Sequence, residues 1–175
     1  MIARLLRDKG VYEYVEAARI VKRLHPQTRF VLVGPFDPNP AAIKPPEVDG
    51  WVREGVIDYK GAVKDVRPLI AACHVYVLPS FYGEGIPRTV LEAMAMSRAI
   101  ITTDEPGCRE TVEGSSNGTL IEARSATHLA EALIGVISEG VHRVQRNGFA
   151  SRRLAATRFD AVRIAEKLTS LIEGH

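Results

Sequence analysis

Val75-Tyr76-Val77-Leu78-Pro79-Ser80-Phe81-Tyr82-Gly83-Glu84-Gly85-Ile86-Pro87-Arg88-Thr89-Val90-Leu91-Glu92-Ala93-Met94 reads as a strand, a loop and a helix in succession. Its first four residues are continuously apolar, as a strand buried on both faces should be. Pro79 and the glycines at 83 and 85 interrupt that run, and Pro87 supplies the fixed φ favoured in the first turn of a helix. Val90, Leu91 and Met94 then recur at helical spacing. A strand feeding a helix through a glycine-bearing loop is the building unit of a parallel sheet covered by helices.

The same alternation runs from end to end. Six strands are expected, at residues 2–6, 29–33, 57–60, 75–78, 99–103 and 118–121. Val11, Val15, Ala18, Val21 and Leu24 mark a helix that Pro26 stops. A second helix is read at 41–54 behind the proline-rich stretch 35–46. Asp65 caps a third that carries Val66, Leu69 and Ile70, and Pro87 opens the fourth. Ser125 caps a fifth with Leu129, Leu133 and Val136, and two more follow, the last with Phe159, Val162, Leu168 and Ile172 on one side. The expectation is one α/β domain over residues 1–175, a three-layer, doubly wound, Rossmann-like fold with a six-stranded parallel sheet. The strand order 3-2-1-4-5-6 is taken from the frequency of that fold.

Composition narrows the alternatives. At 175 residues, 46% apolar and 25% charged, the chain is an ordinary globular domain. Its longest mostly apolar run, 69–78, is broken by His74 and falls far short of the roughly 20 residues of a membrane span. No basic-then-apolar leader opens the sequence, and Cys73 and Cys108 form no C-x-x-C pair. The reading is therefore cytoplasmic and reducing, without disulfide or zinc. A net charge of +2 gives no sign of a nucleic-acid partner.

In a doubly wound sheet, ligands sit beyond the C-terminal ends of the strands where the winding reverses. Two loops fall there. Arg4-Leu5-Leu6-Arg7-Asp8-Lys9-Gly10 follows the first strand, and residues 79–87 follow the fourth. The second loop places two glycines before a helix start, where backbone amides and the helix dipole favour an anion. Glu84 stands just before that helix and Glu92 about a turn inside it. Carboxylates accept from sugar hydroxyls, while Arg4 offers a planar fork and Lys9 a movable charge for phosphate oxygens. Anion on amides and cations with hydroxyls on carboxylates describes a nucleotide-sugar diphosphate. A nicotinamide-binding half would need G-x-G-x-x-G after the first strand, and Leu5-Leu6-Arg7-Asp8-Lys9-Gly10 does not supply it.

Glu84-Gly85-Ile86-Pro87-Arg88-Thr89-Val90-Leu91-Glu92, followed by Ala93-Met94-Ala95, resembles the E-x7-E signature of retaining GT-B glycosyltransferases of family 4. The segments Ala3-Arg4-Leu5-Leu6-Arg7-Asp8-Lys9-Gly10, Val31-Leu32-Val33-Gly34, Val77-Leu78-Pro79-Ser80, Ile100-Ile101-Thr102-Thr103-Asp104 and Gly118-Thr119-Leu120-Ile121 are similar to that family in the same order. Gly34-Pro35-Phe36-Asp37 and Pro106-Gly107-Cys108-Arg109-Glu110 look like a subgroup that builds bacterial surface polysaccharides and protein-linked oligosaccharides on a polyprenyl diphosphate. Ser97 and Ala99 depart from the pattern, which has Gly and Pro there; a changed turn with an intact site is expected.

The resemblance implies the C-terminal, donor-binding half of a GT-B enzyme, with the N-terminal acceptor domain absent. On it, Arg4 and Lys9 hold the diphosphate and Glu84 meets the donor sugar; these three form the catalytic set. Gly85, Ile86, Pro87, Arg88, Thr89 and Glu92 bind substrate, with Glu92 on the ribose hydroxyls. No metal and no cofactor are implied, since the nucleoside-diphosphate sugar is itself a substrate. UDP is the nucleotide expected, because it prevails in the resembling subgroup. The isolated chain is expected to bind donor and to turn over poorly. The alternative is a non-catalytic nucleotide-sugar-binding module of the same fold.

Other residues admit plainer readings. Glu110 is equally a donor contact or an acid that caps a short helix. His74 is expected in the core, and Cys73 as a small buried hydrophobe. The basic residues between His142 and Lys167 form either a solvated face or a contact with the anionic inner leaflet of the plasma membrane. The apolar stripe of the last helix either packs on this domain or faces the absent one.

Overall fold

The computed structural model describes residues 1–83 and 85–173, except for the side chains of Ile164, Lys167, Leu168 and Glu173. A 3-10 turn (Arg7–Lys9) leads into α1 (Val11–Leu24), β1 (Val31–Leu32), α2 (Pro45–Arg53), β2 (Asp58–Tyr59), α3 (Arg67–Ala72) and β3 (Val75–Leu78). Then come α4 (Arg88–Ala95), β4 (Ala99–Thr103), a second 3-10 turn (Arg109–Thr111), β5 (Gly118–Ile121), α5 (Ala126–Glu139), α6 (Val141–Arg158) and α7 (Ala161–Glu173).

All strand pairs are parallel, as the alternation requires. β3, β4 and β5 have the expected bounds and lie side by side, with Val75 opposite Ala99 and Ile100 opposite Gly118. All five residues of β4 are buried. Because successive side chains point to opposite faces, this strand is covered on both. α4 packs on α6 and β4, and α1 packs on α5.

The N-terminal half departs from the expected six strands. Among the described residues five strands form, and the expected first one is a parallel bridge between Ile2 and Val33. Ala3 N–H still donates to Val33 C=O, and Val33 N–H to Met1 C=O, each at 3.0 Å. The ladder ends because the chain then curls. Leu6 N–H turns back onto Arg4 C=O (2.7 Å), and Leu6 leaves to bridge Ala42. β1 and β2 are two residues each, shorter than the stretches 29–33 and 57–60. The hydrogen-bonded order is thus third, second, first on one side and fourth, fifth, sixth on the other. Between the halves runs no ladder bond among the described residues; the Tyr76 hydroxyl donates to Ile2 C=O at 3.2 Å instead. Burial pushes the Tyr76 phenol well above its ordinary range, so it stays a donor.

Helix ends also differ in instructive ways. α2 begins at Pro45, because a proline there holds Lys44 extended and has no N–H to give an earlier turn, and Glu47 accepts from the Lys44 N–H at 2.9 Å. Pro87 caps α4 from an extended conformation and is not inside its first turn. Ser125 caps α5 as expected, accepting from His128 N–H at 3.2 Å. Phe159 ends α6 and does not belong to α7. His74 is exposed at the entry to β3, a correction to the core reading, since the run breaks there and the side chain points to water.

α4 ends in a Schellman turn: Ser97 N–H donates to Met94 C=O (2.9 Å) and Arg98 N–H to Ala93 C=O (3.0 Å). Ser97 therefore sits in the left-handed region at φ +61°, where glycine carries no steric penalty. This is the physical content of the changed turn. The carbonyl of Ser97 is pressed against α6, and a Cβ on Gly148 would lie 2.4 Å from it. Ser97→Gly is expected to stabilise the chain by about 1 kcal/mol, raising the midpoint of urea unfolding; an unchanged or lower midpoint contradicts strain at this residue.

The backbone nitrogen of Met1 donates to Val31 C=O at 2.9 Å inside the sheet, continuing the pairing in which Val33 N–H donates to Met1 C=O.

Candidate functional site

The loops after the first segment and after β3 meet at the C-terminal edge of the sheet. Phe81 N–H donates to Asp8 C=O at 2.9 Å, and the Ser80 hydroxyl donates to the same carbonyl at 3.3 Å. Gly10, at φ +74°, lies so close to the second loop that a Cβ on it would stand 2.1 Å from Pro79 O. Buried threonines hold the loop from below: Thr102 Oγ1 donates to Leu78 C=O (2.7 Å) and Thr103 Oγ1 to Ser80 C=O.

The expected site residues divide between these walls. Lys9 is 9% exposed, with Nζ 5.6 Å from the centroid of the Tyr82 ring, so it joins the second loop. Arg4 is turned toward a third loop, where its guanidinium meets Asp37 Oδ2 at 2.9 Å; its side chain is 61% exposed. Gly85 and Ile86 are exposed, Pro87 is buried and Thr89 is half-buried at the start of α4. Arg88 reaches one turn along α4 to Glu92, Nε to Oε1 at 3.1 Å, and is itself 90% exposed. Glu84 lies outside the described residues.

α4 presents its first amides at this edge with no side-chain cap among the described residues. Helix N-termini leave such donors open and carry a positive partial charge. The edge therefore combines open amides, the Lys9 ammonium, the Arg4 guanidinium and the Glu92 carboxylate, which can take an anion and hydroxyls together.

Glu110 follows the plainer reading, since its Oε2 accepts from Gly107 N–H at 2.6 Å. Three participants escaped the sequence. Asp37 is the partner of Arg4 across 33 residues, Tyr82 lies beside Lys9, and Arg124 stacks 4.6 Å over the Phe81 ring from the far side of the edge. Only contact in space identifies them. Arg124 stands at φ +59°, a conformation uncommon for a residue with a Cβ.

The model of the glycosyl transferases group 1 family matches residues 1–139. The chain belongs to this family. N,N'-diacetylbacillosaminyl-diphospho-undecaprenol alpha-1,3-N-acetylgalactosaminyltransferase of Campylobacter jejuni is 38% identical over 133 residues, 76% of this chain and 33% of that protein. Against Anabaena HepE in complex with UDP, this group 1 glycosyltransferase chain gives a TM-score of 0.88 at 23% identity, covering 99% of itself and 48% of the neighbour. A C-terminal domain of a group 1 family glycosyl transferase from Francisella tularensis matches with a TM-score of 0.78 at 24% identity, over 91% of this chain and 85% of that one. At those identities the two structures show the fold, which is that of GT-B glycosyltransferases. The group 1 chain spans about a third of the length of the Campylobacter relative.

Gly10→Ala adds a Cβ where Pro79 O already stands and forces a left-handed residue to carry it. A loss of roughly 2–4 kcal/mol in unfolding free energy is expected. If the variant unfolds at the same urea concentration as the parent chain, the two loops do not depend on this contact.

Proposed function

We propose that this group 1 chain is the donor-binding, C-terminal half of a retaining glycosyltransferase that moves a sugar from a UDP-sugar to a polyprenyl-linked glycan acceptor. The observation that carries this reading is the convergence of the Lys9 loop and the α4 N-terminus at one edge of the sheet, held by Phe81 N–H on Asp8 C=O. The names of the relatives, a lipid-diphosphate-dependent transferase and a UDP complex, agree with it.

In this reading the diphosphate lies on the amides of Gly85, Ile86 and Arg88, with Lys9 on one side. Arg4, whose own side chain is largely exposed, reaches it by leaving Asp37, and the mostly buried Asp37 carboxylate keeps the hydrogen bond from Asn39 N–H. Glu92 trades the Arg88 guanidinium for the two ribose hydroxyls, which accounts for a half-exposed carboxylate at this turn. Glu84, placed by the sequence alone, meets the donor sugar. As the bond between the anomeric carbon and the diphosphate oxygen lengthens, negative charge grows on that oxygen. Lys9, Arg4 and the α4 dipole stabilise it, and one such preorganised donor is worth about 2.7–4 kcal/mol in the best-measured oxyanion site. No metal is required by this scheme. The acceptor and the groups that bind it belong to a second domain, and the lipid-linked acceptor places the enzyme at the inner face of the plasma membrane. Among the described residues no helix is long and apolar enough to cross a membrane.

Calorimetric titration of the chain with UDP, GDP, ADP and their sugar conjugates, without metal, tests the assignment. Selective binding of one nucleoside diphosphate is expected. Glu92→Ala should weaken it roughly 10- to 100-fold through loss of charged hydrogen bonds, and Arg4→Ala should weaken it as well. Binding that survives both substitutions unchanged overturns the site. Robust transfer to a lipid-linked acceptor by the 175-residue chain alone overturns the division between the two domains.

A further inference from the structure

α6 carries Arg143, Arg146, Arg152, Arg153 and Arg158 and no acidic residue, although the whole chain is only +2. Its inner side is fixed in the fold. Asn147 Nδ2 donates to the carbonyls of Ser115 (3.2 Å) and Ser116 (2.6 Å), Gly148 lies against Ser97, and Leu154 and Ala155 are buried. The opposite side forms an exposed stripe at spacings of three and four, made by His142, Arg146, Phe149, Arg152 and Arg153. Phe149, in its middle, is 73% exposed. Neutralisation of the stripe is slight: Arg146 stands 3.5 Å from Glu139, and Arg152 donates to the Ala95 carbonyl at 2.9 Å.

We infer that this outer face of α6 is a docking surface for an anionic lipid bilayer, with the arginines among the headgroups and Phe149 at the acyl boundary. The inference rests on the part of the functional reading that puts the acceptor in a membrane, and it names the surface involved. Three observations select a bilayer. An aromatic side chain held in water between arginines, on a helix of about 27 Å, has the pattern of an interfacial helix. Its charge has one sign, complementary to an anionic leaflet. A docking face for another domain would place these arginines in an interface, and interface cores are depleted in charge. The stripe contacts Glu139 and, through Arg152, the carbonyl of Ala95, which lies at the opposite end of α4 from its first amides.

Co-sedimentation of the 175-residue chain with phosphatidylcholine vesicles, with and without phosphatidylglycerol, tests this. Binding should require phosphatidylglycerol and weaken with salt. Arg146→Glu and Arg153→Glu should each lower it by about 5-fold or more, and Phe149→Ala should lower it at every salt concentration. All three residues are exposed, so the variants should melt like the parent and bind nucleotide in the same calorimetric titration. A parent chain that binds the vesicles and no nucleotide would overturn the donor site and leave this surface standing. Equal binding to pure phosphatidylcholine, binding indifferent to the three substitutions, or no sedimentation at all overturns the inference. Tighter binding to a duplex oligonucleotide than to the anionic vesicles replaces it with a nucleic-acid surface.

Discussion

The contact between Asp8 C=O and Phe81 N–H joins two halves of a sheet that share no ladder. One half ends at the segment after Met1, the other begins at β3, and no strand pairing crosses between them among the described residues. Buried backbone groups must find partners. Here the Ile2 carbonyl takes the Tyr76 hydroxyl, and the Asp8 carbonyl takes both Phe81 N–H and Ser80 Oγ. Gly10 makes the approach possible because any Cβ would collide with Pro79. The seam that the sheet leaves unpaired is closed at its C-terminal edge by these contacts, and the same contacts set Lys9 beside the approach to α4.

β3 and β4 were legible because they are buried on both faces. Val75-Tyr76-Val77-Leu78 and Ala99-Ile100-Ile101 are apolar without interruption, and such runs end sharply where the chain surfaces. The N-terminal strands carry Arg29, Asp58 and Lys60 within the same length. Arg29 and Asp58 pair with each other at 2.5 Å on the exposed side. Backbone geometry ends the first segment and β1: the Leu6 N–H turns to Arg4, and β1 runs into Gly34 at φ +148°, where a Cβ would stand 1.7 Å from Ala3 O. A hydrophobic pattern carries no signal for such a turn.

The site shows the same split. Glu92 and the α4 start could be read from spacing because helix geometry fixes them relative to Arg88 and Pro87. The direction of Arg4 could not. Its partner Asp37 lies 33 residues on, in a loop whose path depends on how β1 leaves the sheet. Lys9 is held by burial, while Arg4, largely exposed itself, is held by one ion pair. The two cations that look equivalent in sequence are therefore unequal in freedom, one preset at the edge and the other able to arrive with a ligand.

Net charge was the least informative quantity in the sequence, and the structure shows why. The total of +2 is an average over a helix with five arginines and a remainder that is net acidic. The open depression beyond β4 and β5, about 480 Å³, is lined by Asp104, Glu105 and Glu122. Arg109 meets Asp104 at 2.9 Å, and His128 meets Glu122 at 3.1 Å, so the acidic side is partly compensated within itself. Exposed charges are screened beyond about 8–10 Å in physiological salt. A ligand at the α4 edge, or a surface against α6, thus responds to the few charges within that distance and not to their sum. Charge on this fold is distributed edge by edge: the Lys9 ammonium lies beside the start of α4 at one, and the arginines around Phe149 lie on another.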